Sequence, residues 1–96
     1  MHSSELRRVS FPAGTRIGLF RVEGFAAPDV DDFVQECEVA LGAHEEGRVA
    51  RLTSEDVVTK EFRTFVRKAG YYDMDAVSEF LDRVADALRQ HEQRVP

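Results

Sequence analysis

A chain of 96 residues can build one core but not two independently stable ones, so a single domain over 1–96 is expected. An apolar fraction of 43% beside 32% charged residues excludes wholesale disorder, and no apolar run nears the ~18–20 residues that cross a bilayer, so a cytoplasmic chain is expected. The net charge of −5 argues against nucleic acid as partner, because displacing counterions requires a dominant basic face.

Residues 1–22 supply apolar weight through Val9, Phe11, Ile17, Leu19, Phe20 and Val22, but Pro12-Ala13-Gly14 and Gly18 interrupt any helix. They predict an irregular arm or a short β hairpin packed on the helices. Val30, Val34, Cys37, Leu41 and His44 then recur at steps of three and four, with Pro28 placed for a first helical turn and Gly42 weakening the end. That spacing predicts a helix of about 17 residues, or ~25 Å. Thr53-Ser54-Glu55-Asp56 reads as a helix start, a hydroxyl cap followed by acids facing the positive end of the dipole. With Val58, Phe62, Phe65, Val66 and Ala69 on one face, Arg67 and Lys68 in the last turn and Gly70 as a cap, a middle helix over 54–69 is predicted. Its Val, Thr and Phe content lowers helix propensity, so part of it could be extended. Met74, Val77, Leu81, Val84, Leu88, His91 and Val95 repeat the three-four spacing and predict a last helix over about 73–93.

The two long helices are related. A shift of 47 positions lays Ala27, Val30, Phe33, Val34, Cys37, Ala40, Leu41, His44 and Glu45 onto Met74, Val77, Phe80, Leu81, Val84, Ala87, Leu88, His91 and Glu92. Six of these nine pairs are identical and the other three stay apolar. Gly24-Phe25 matches Gly70-Tyr71 at a shift of 46, so each unit reads as a Gly-aromatic turn followed by an acidic helix, one unit over about 9–46 and the other over about 51–93. Counting back eight residues from Gly24, as Phe62 lies eight before Gly70, reaches Arg16, so the repetition fades ahead of the helices. Charge falls in alternating blocks: +3 over 1–21, −8 over 22–47, +3 over 48–68 and −3 over 69–96.

Leu52-Thr53-Ser54-Glu55-Asp56-Val57, then Lys60-Glu61-Phe62-Arg63, then Gly70-Tyr71-Tyr72-Asp73, then Val77 and Phe80-Leu81-Asp82-Arg83-Val84 resemble the DivIVA-domain family of bacterial cell-division and pole-organising scaffolds. The likeness covers roughly 51–92, and Gly24-Phe25 with Val30-Asp31-Asp32-Phe33-Val34 is a degenerate second version, so the chain looks like a short duplicated form. The resemblance implies a non-enzymatic role: paired parallel helices, self-association, membrane association through a turn, and recruitment of division or envelope-growth proteins. Family membrane contact is associated with an aromatic and an arginine just before the Gly-Tyr pair. Here those positions are Val22-Glu23 and Lys68-Ala69, and a long downstream coiled coil is not expected, so the pairing unit is expected to carry over and the insertion device is not.

Residues that could carry chemistry have plainer explanations. His44 and His91 share a seam position, which invites a metal or a pH switch, but no third ligand is spaced with them and a histidine in a last helical turn already suits the dipole. Cys37 lies on the apolar stripe and reads as a buried structural thiol; as the lone cysteine it forms no internal disulfide. Asp29, Asp31, Asp32, Glu36 and Glu38 read as a solvated helix face, with Asp29 and Asp32 favoured by the first turn. No phosphate loop, nucleophile elbow or zinc spacing occurs, so no catalytic residue, metal or cofactor is expected.

The expected architecture is mainly α: a small three-helix domain built from two DivIVA-like repeats, with the two repeat helices parallel and the arm packed across them. Its helix-pairing seam comprises Val30, Phe33, Val34, Cys37 and Leu41 with Met74, Val77, Phe80, Leu81, Val84 and Leu88. The expected partner is a protein, either a second copy or a longer scaffold of the same kind, at the inner face of the membrane or the septum. The alternative is a membrane-surface module contacting anionic lipid through Arg7, Arg8, Arg16, Phe20, Arg21, Lys68, Tyr71 and Tyr72.

Overall fold

A computed structural model describes residues 1–17, 21–65 and 70–94, with Ile17 and Arg21 described in backbone only. Two long helices, α2 (Ala27–Glu45) and α4 (Met74–Gln93), carry the architecture. Around them lie the short helices α1 (Ser3–Leu6) and α3 (Ser54–Thr59), the hairpin of β1 (Thr15–Ile17) with β2 (Arg21–Glu23), and the two-residue strands β3 (Phe25–Ala26) and β4 (Tyr71–Tyr72). The chain is thus mainly α, with four helices among the described residues where three were expected.

The long helices form where their periodicity places them. In α2, Val30, Phe33, Val34, Cys37, Ala40 and Leu41 are buried, and Pro28 occupies the first turn. The helix runs past Gly42 and ends in a Schellman motif: Gly47, at φ 73°, donates its N–H to His44, and Arg48 donates to Ala43. Asp73 caps α4, its side chain accepting from the Ala76 N–H at 2.9 Å. Val77, Phe80, Leu81, Val84, Ala85, Ala87 and Leu88 face the core. Met74, placed on the seam by its spacing, is only half-buried at the mouth of the helix, and Val95 falls outside the described residues.

The middle helix departs from expectation. Thr53 and Asp56 form the predicted start as a capping box, each side chain taking the other's backbone N–H. The helix then stops at Thr59, and Lys60 is extended with ψ 130°. Val57, not Val58, enters the core; Val58 is 55% exposed and Phe65 85% exposed. The β-branched run Val57-Val58-Thr59 weakens continuation, and tertiary partners offer more than another turn. Arg63 donates its N–H to Asp29 and accepts from the Ala26 N–H, which ties the extended segment to the start of α2. Val66, Arg67, Lys68 and Ala69, predicted to finish that helix, lie outside the described residues.

The arm is more ordered than expected. His2 and Glu5 bracket α1, which buries Leu6 against α2. The hairpin pairs Thr15 with Glu23, Arg16 with Val22 and Ile17 with Arg21, while Leu19 and Phe20 lie outside the described residues. β3 and β4 pair antiparallel, Phe25 with Tyr72 and Ala26 with Tyr71, and Ala13 bridges to Tyr72 on the far side. Gly24 is required here, because a Cβ would sit 2.6 Å from the Tyr72 carbonyl oxygen.

These strands fix the direction of the helices. The pairing of β3 with β4 brings the starts of α2 and α4 together, and the His44 and His91 rings stack at their other ends with centroids 4.8 Å apart. The long helices therefore run side by side in the same direction, at the heart of a rod of 54 × 21 × 18 Å. α1 packs on α2, α3 packs on α4, and one continuous cluster joins Leu6, Val30, Phe33, Leu41, Val57, Val77, Phe80 and Leu88.

Candidate functional site

The feature with most structure around it is the seam between α2 and α4. Val30, Cys37, Leu41, Val77, Val84 and Leu88 are each fully buried along it. Burying side chains of this size stabilises by about 1.5–3 kcal/mol apiece, so the seam is also the protein's core. Cys37 sits inside, its thiol pushed up to about 12 chiefly by burial, which holds it neutral and unreactive.

Both ends of the seam are closed by the same contacts made twice. At the start, the Phe11 ring lies 5.3 Å from Tyr72 at 50° and 5.4 Å from Phe80 at 75°. The Phe62 ring lies 5.3 Å from Phe25 at 50° and 5.7 Å from Phe33 at 72°. Each aromatic reaches across to the helix of the other half of the chain. At the far end, Ser3 gives its N–H and hydroxyl to the two oxygens of Glu45 at 2.8 and 2.7 Å, and Ser54 does the same to Glu92 at 2.8 and 2.6 Å. Leu6 and Val57 enter the core three residues after their serines, and Phe11 and Phe62 come five residues later.

This spacing, Ser followed at three by Leu or Val and at eight by Phe, was present in the sequence. It escaped a count from Gly24 because the β1–β2 hairpin places Phe11 thirteen residues before Gly24, against eight from Phe62 to Gly70.

Polar groups hold the segments to α2. Arg63 clamps Asp29 through Nε at 2.9 Å and a terminal nitrogen at 2.6 Å, and these bonds lower the Asp29 carboxyl to about 2. Arg7 pairs with Glu38, and the Tyr72 hydroxyl donates to Asp31 at 2.8 Å, which raises the phenol above its ordinary value. Most of the acidic run is thereby engaged in tying the arm and the turns down, and Asp32 and Glu36 stay exposed on the outer face. Lys60 lies over the Phe33 ring at 5.2 Å.

Of the basic and aromatic positions considered for surface contact, Arg7 and Tyr72 are thus committed to α2, and Tyr71 is half-buried in β4. Arg8 and Arg16 are exposed; Phe20, Lys68 and the side chain of Arg21 lie outside the described residues. The stacked imidazoles are nearly parallel at 3°, and His91 is held below the usual histidine value by burial first and by facing His44 next. Among the described residues no group of three or more metal-binding side chains occurs, and no helix is long and apolar enough to cross a membrane. Comparison with protein-family models, with curated proteins and with solved structures yields no match.

Proposed function

We propose that the chain is a non-enzymatic scaffold or adaptor of the DivIVA type, in which two repeats fused in one chain pair with each other as the two partners of that unit. The observation that carries this reading is the seam: two parallel helices closed at both ends by matched contacts, with Phe11 and Phe62 exchanged between the halves. Such an exchange suits a pairing device better than a catalytic cavity, because its aromatic weight goes into holding two helices in register. The role is association with other proteins during cell division or polar growth, at the inner face of the membrane or the septum. A fluorescent fusion in the host cell is expected to collect at septa or poles and to disperse when the host's longer scaffold of this type is depleted. Uniform fluorescence in undepleted cells refutes the assignment.

A membrane-surface role is the second reading, and it is favoured by Phe65, 85% exposed two residues after the Arg63 that anchors its segment to the start of α2. Binding of the purified chain to anionic liposomes, lost on Phe65→Ser, is its expected signature; equal sedimentation of both proteins with the liposomes counts against it.

A further inference from the structure

The two halves of the molecule match in their cores and differ on one outer face. On α2, the side facing away from α4 carries Asp32, Glu36 and Val39, all exposed, and then Ala43, which is buried. Together with residues 48–52 it walls an open hollow of about 520 Å³. At the matched positions α4 carries Glu79, Arg83, Asp86 and Gln90, all polar and exposed. The contrast centres on Val39, 70% exposed where α4 has an aspartate, and on the neighbouring Val49, 93% exposed. Neither valine contributes to the core cluster, so the fold does not account for them.

The charges around this apolar centre are ordered. Asp32 and Glu36 lie toward the start of α2, whereas Arg48 and Arg51 lie beyond its end on the segment leading to α3. Arg48 is held by Glu46 at 2.5 Å, and Arg51 has no partner among the described residues. A face with acid at one end, base at the other and valine between them is complementary to itself when two copies meet antiparallel, since each acidic end then covers the other copy's basic end. A parallel meeting sets like charge on like. The outer face of α4 offers no apolar centre to receive it.

We propose that this α2 face docks antiparallel on the same face of a second copy, about a two-fold axis beside Val39, with Glu36 of each copy facing Arg51 of the other. The contact leaves the seam inside each chain intact, so it adds an association surface beyond the internal pairing. The stripe from Asp32 to Ala43 is about three helical turns, ~16 Å long and one helix or ~10 Å wide, so it covers about 160 Å² per copy, well short of the ~1,200 Å² or more that stable complexes bury, and the dimer is weak and reversible.

Sedimentation equilibrium of the purified chain from about 10 µM to about 1 mM, at roughly 20 mM and 500 mM salt, tests it over the range where surface charge is first felt and then screened. The mass is expected to climb from 10.9 kDa toward twice that value, less steeply in high salt. Val39→Asp, which copies α4, is expected to hold the protein at monomer mass. Glu36→Arg and Arg51→Glu are each expected to weaken the dimer at least tenfold, while the double variant, or an equimolar mixture of the two single variants, restores it. All these side chains are exposed, and unchanged melting curves establish that the variants fold. Monomer mass throughout the series overturns the proposal, as does a dimer indifferent to Val39→Asp or single charge reversals that the double variant and the mixture do not repair.

Discussion

Replacing Phe62 by alanine tests whether segments outside the long helices hold them together. A fully buried Phe→Ala change costs about 3–5 kcal/mol; Phe62 is half-buried, so roughly half of that applies. Its two ring contacts, with Phe25 and Phe33, add about 0.5–1.5 kcal/mol each, partly counted already, which brings the expected loss to about 2–3 kcal/mol. Phe11→Ala, with its matched contacts to Tyr72 and Phe80, is expected to lose a similar amount. The two rings share no partner, so their effects should add to within about 0.5 kcal/mol. A total near 5 kcal/mol is a large part of the ~5–14 kcal/mol that a chain of this length possesses. Urea unfolding followed by helical circular dichroism reads each loss as a fall in midpoint of about 1–2 M for a slope near 1.5 kcal/mol per M. Val58→Ala, at a position 55% exposed, serves as the control and should change little. If Phe11→Ala and Phe62→Ala fall within about 0.5 kcal/mol of that control, the crossed aromatics do not hold the seam and the reasoning fails.

Two further expectations concern pH. His91 is held below its ordinary 6.5 in the folded chain, by burial and then by His44, with Arg94 and the N-terminal amine also lowering it and Glu45 opposing. The unfolded chain therefore takes the proton first: stability is full above 6.5 and declines as pH falls through that value. Melting temperatures from pH 8 to 5 should fall less steeply for His91→Gln than for the parent, and parallel curves would contradict this. Asp29 has the opposite sign, because the Arg63 clamp lowers it from 3.8 to about 2, so its contribution is present above 3.8 and lost as pH drops toward 2. Arg63→Gln should remove that part of the acid limb in a circular-dichroism titration from pH 5 to 1.5; coincident limbs would show that the clamp does not form.

The long helices were legible because their burial is periodic and continuous: Val30 to Leu41 and Val77 to Leu88 lie on stripes that the three-four spacing exposes directly. The parallel course of the pair came from an expected reversal through the middle segment, although that segment is helical only to Thr59. What misled there was coincidence of spacing. Val58, Phe62 and Phe65 fall on one face of a hypothetical helix, yet Phe62 packs from extended chain and the other two point to solvent. α1 left no periodic trace, since four residues make a single turn and its support comes from Glu45, forty-two positions away. The exchanged aromatics were hidden for a related reason: the hairpin lengthens one half by five residues, which defeats a fixed shift although the local spacing around Phe11 and Phe62 agrees.

The covalent join between the halves, residues 46–53, has a consequence for how the pair responds to dilution. Two separate chains meeting along such a seam would come apart as their concentration fell. A tether this short holds its ends at an effective concentration in the millimolar range, so the helices find each other at a rate independent of how many molecules surround them. Even at a few copies per cell, each molecule arrives already paired.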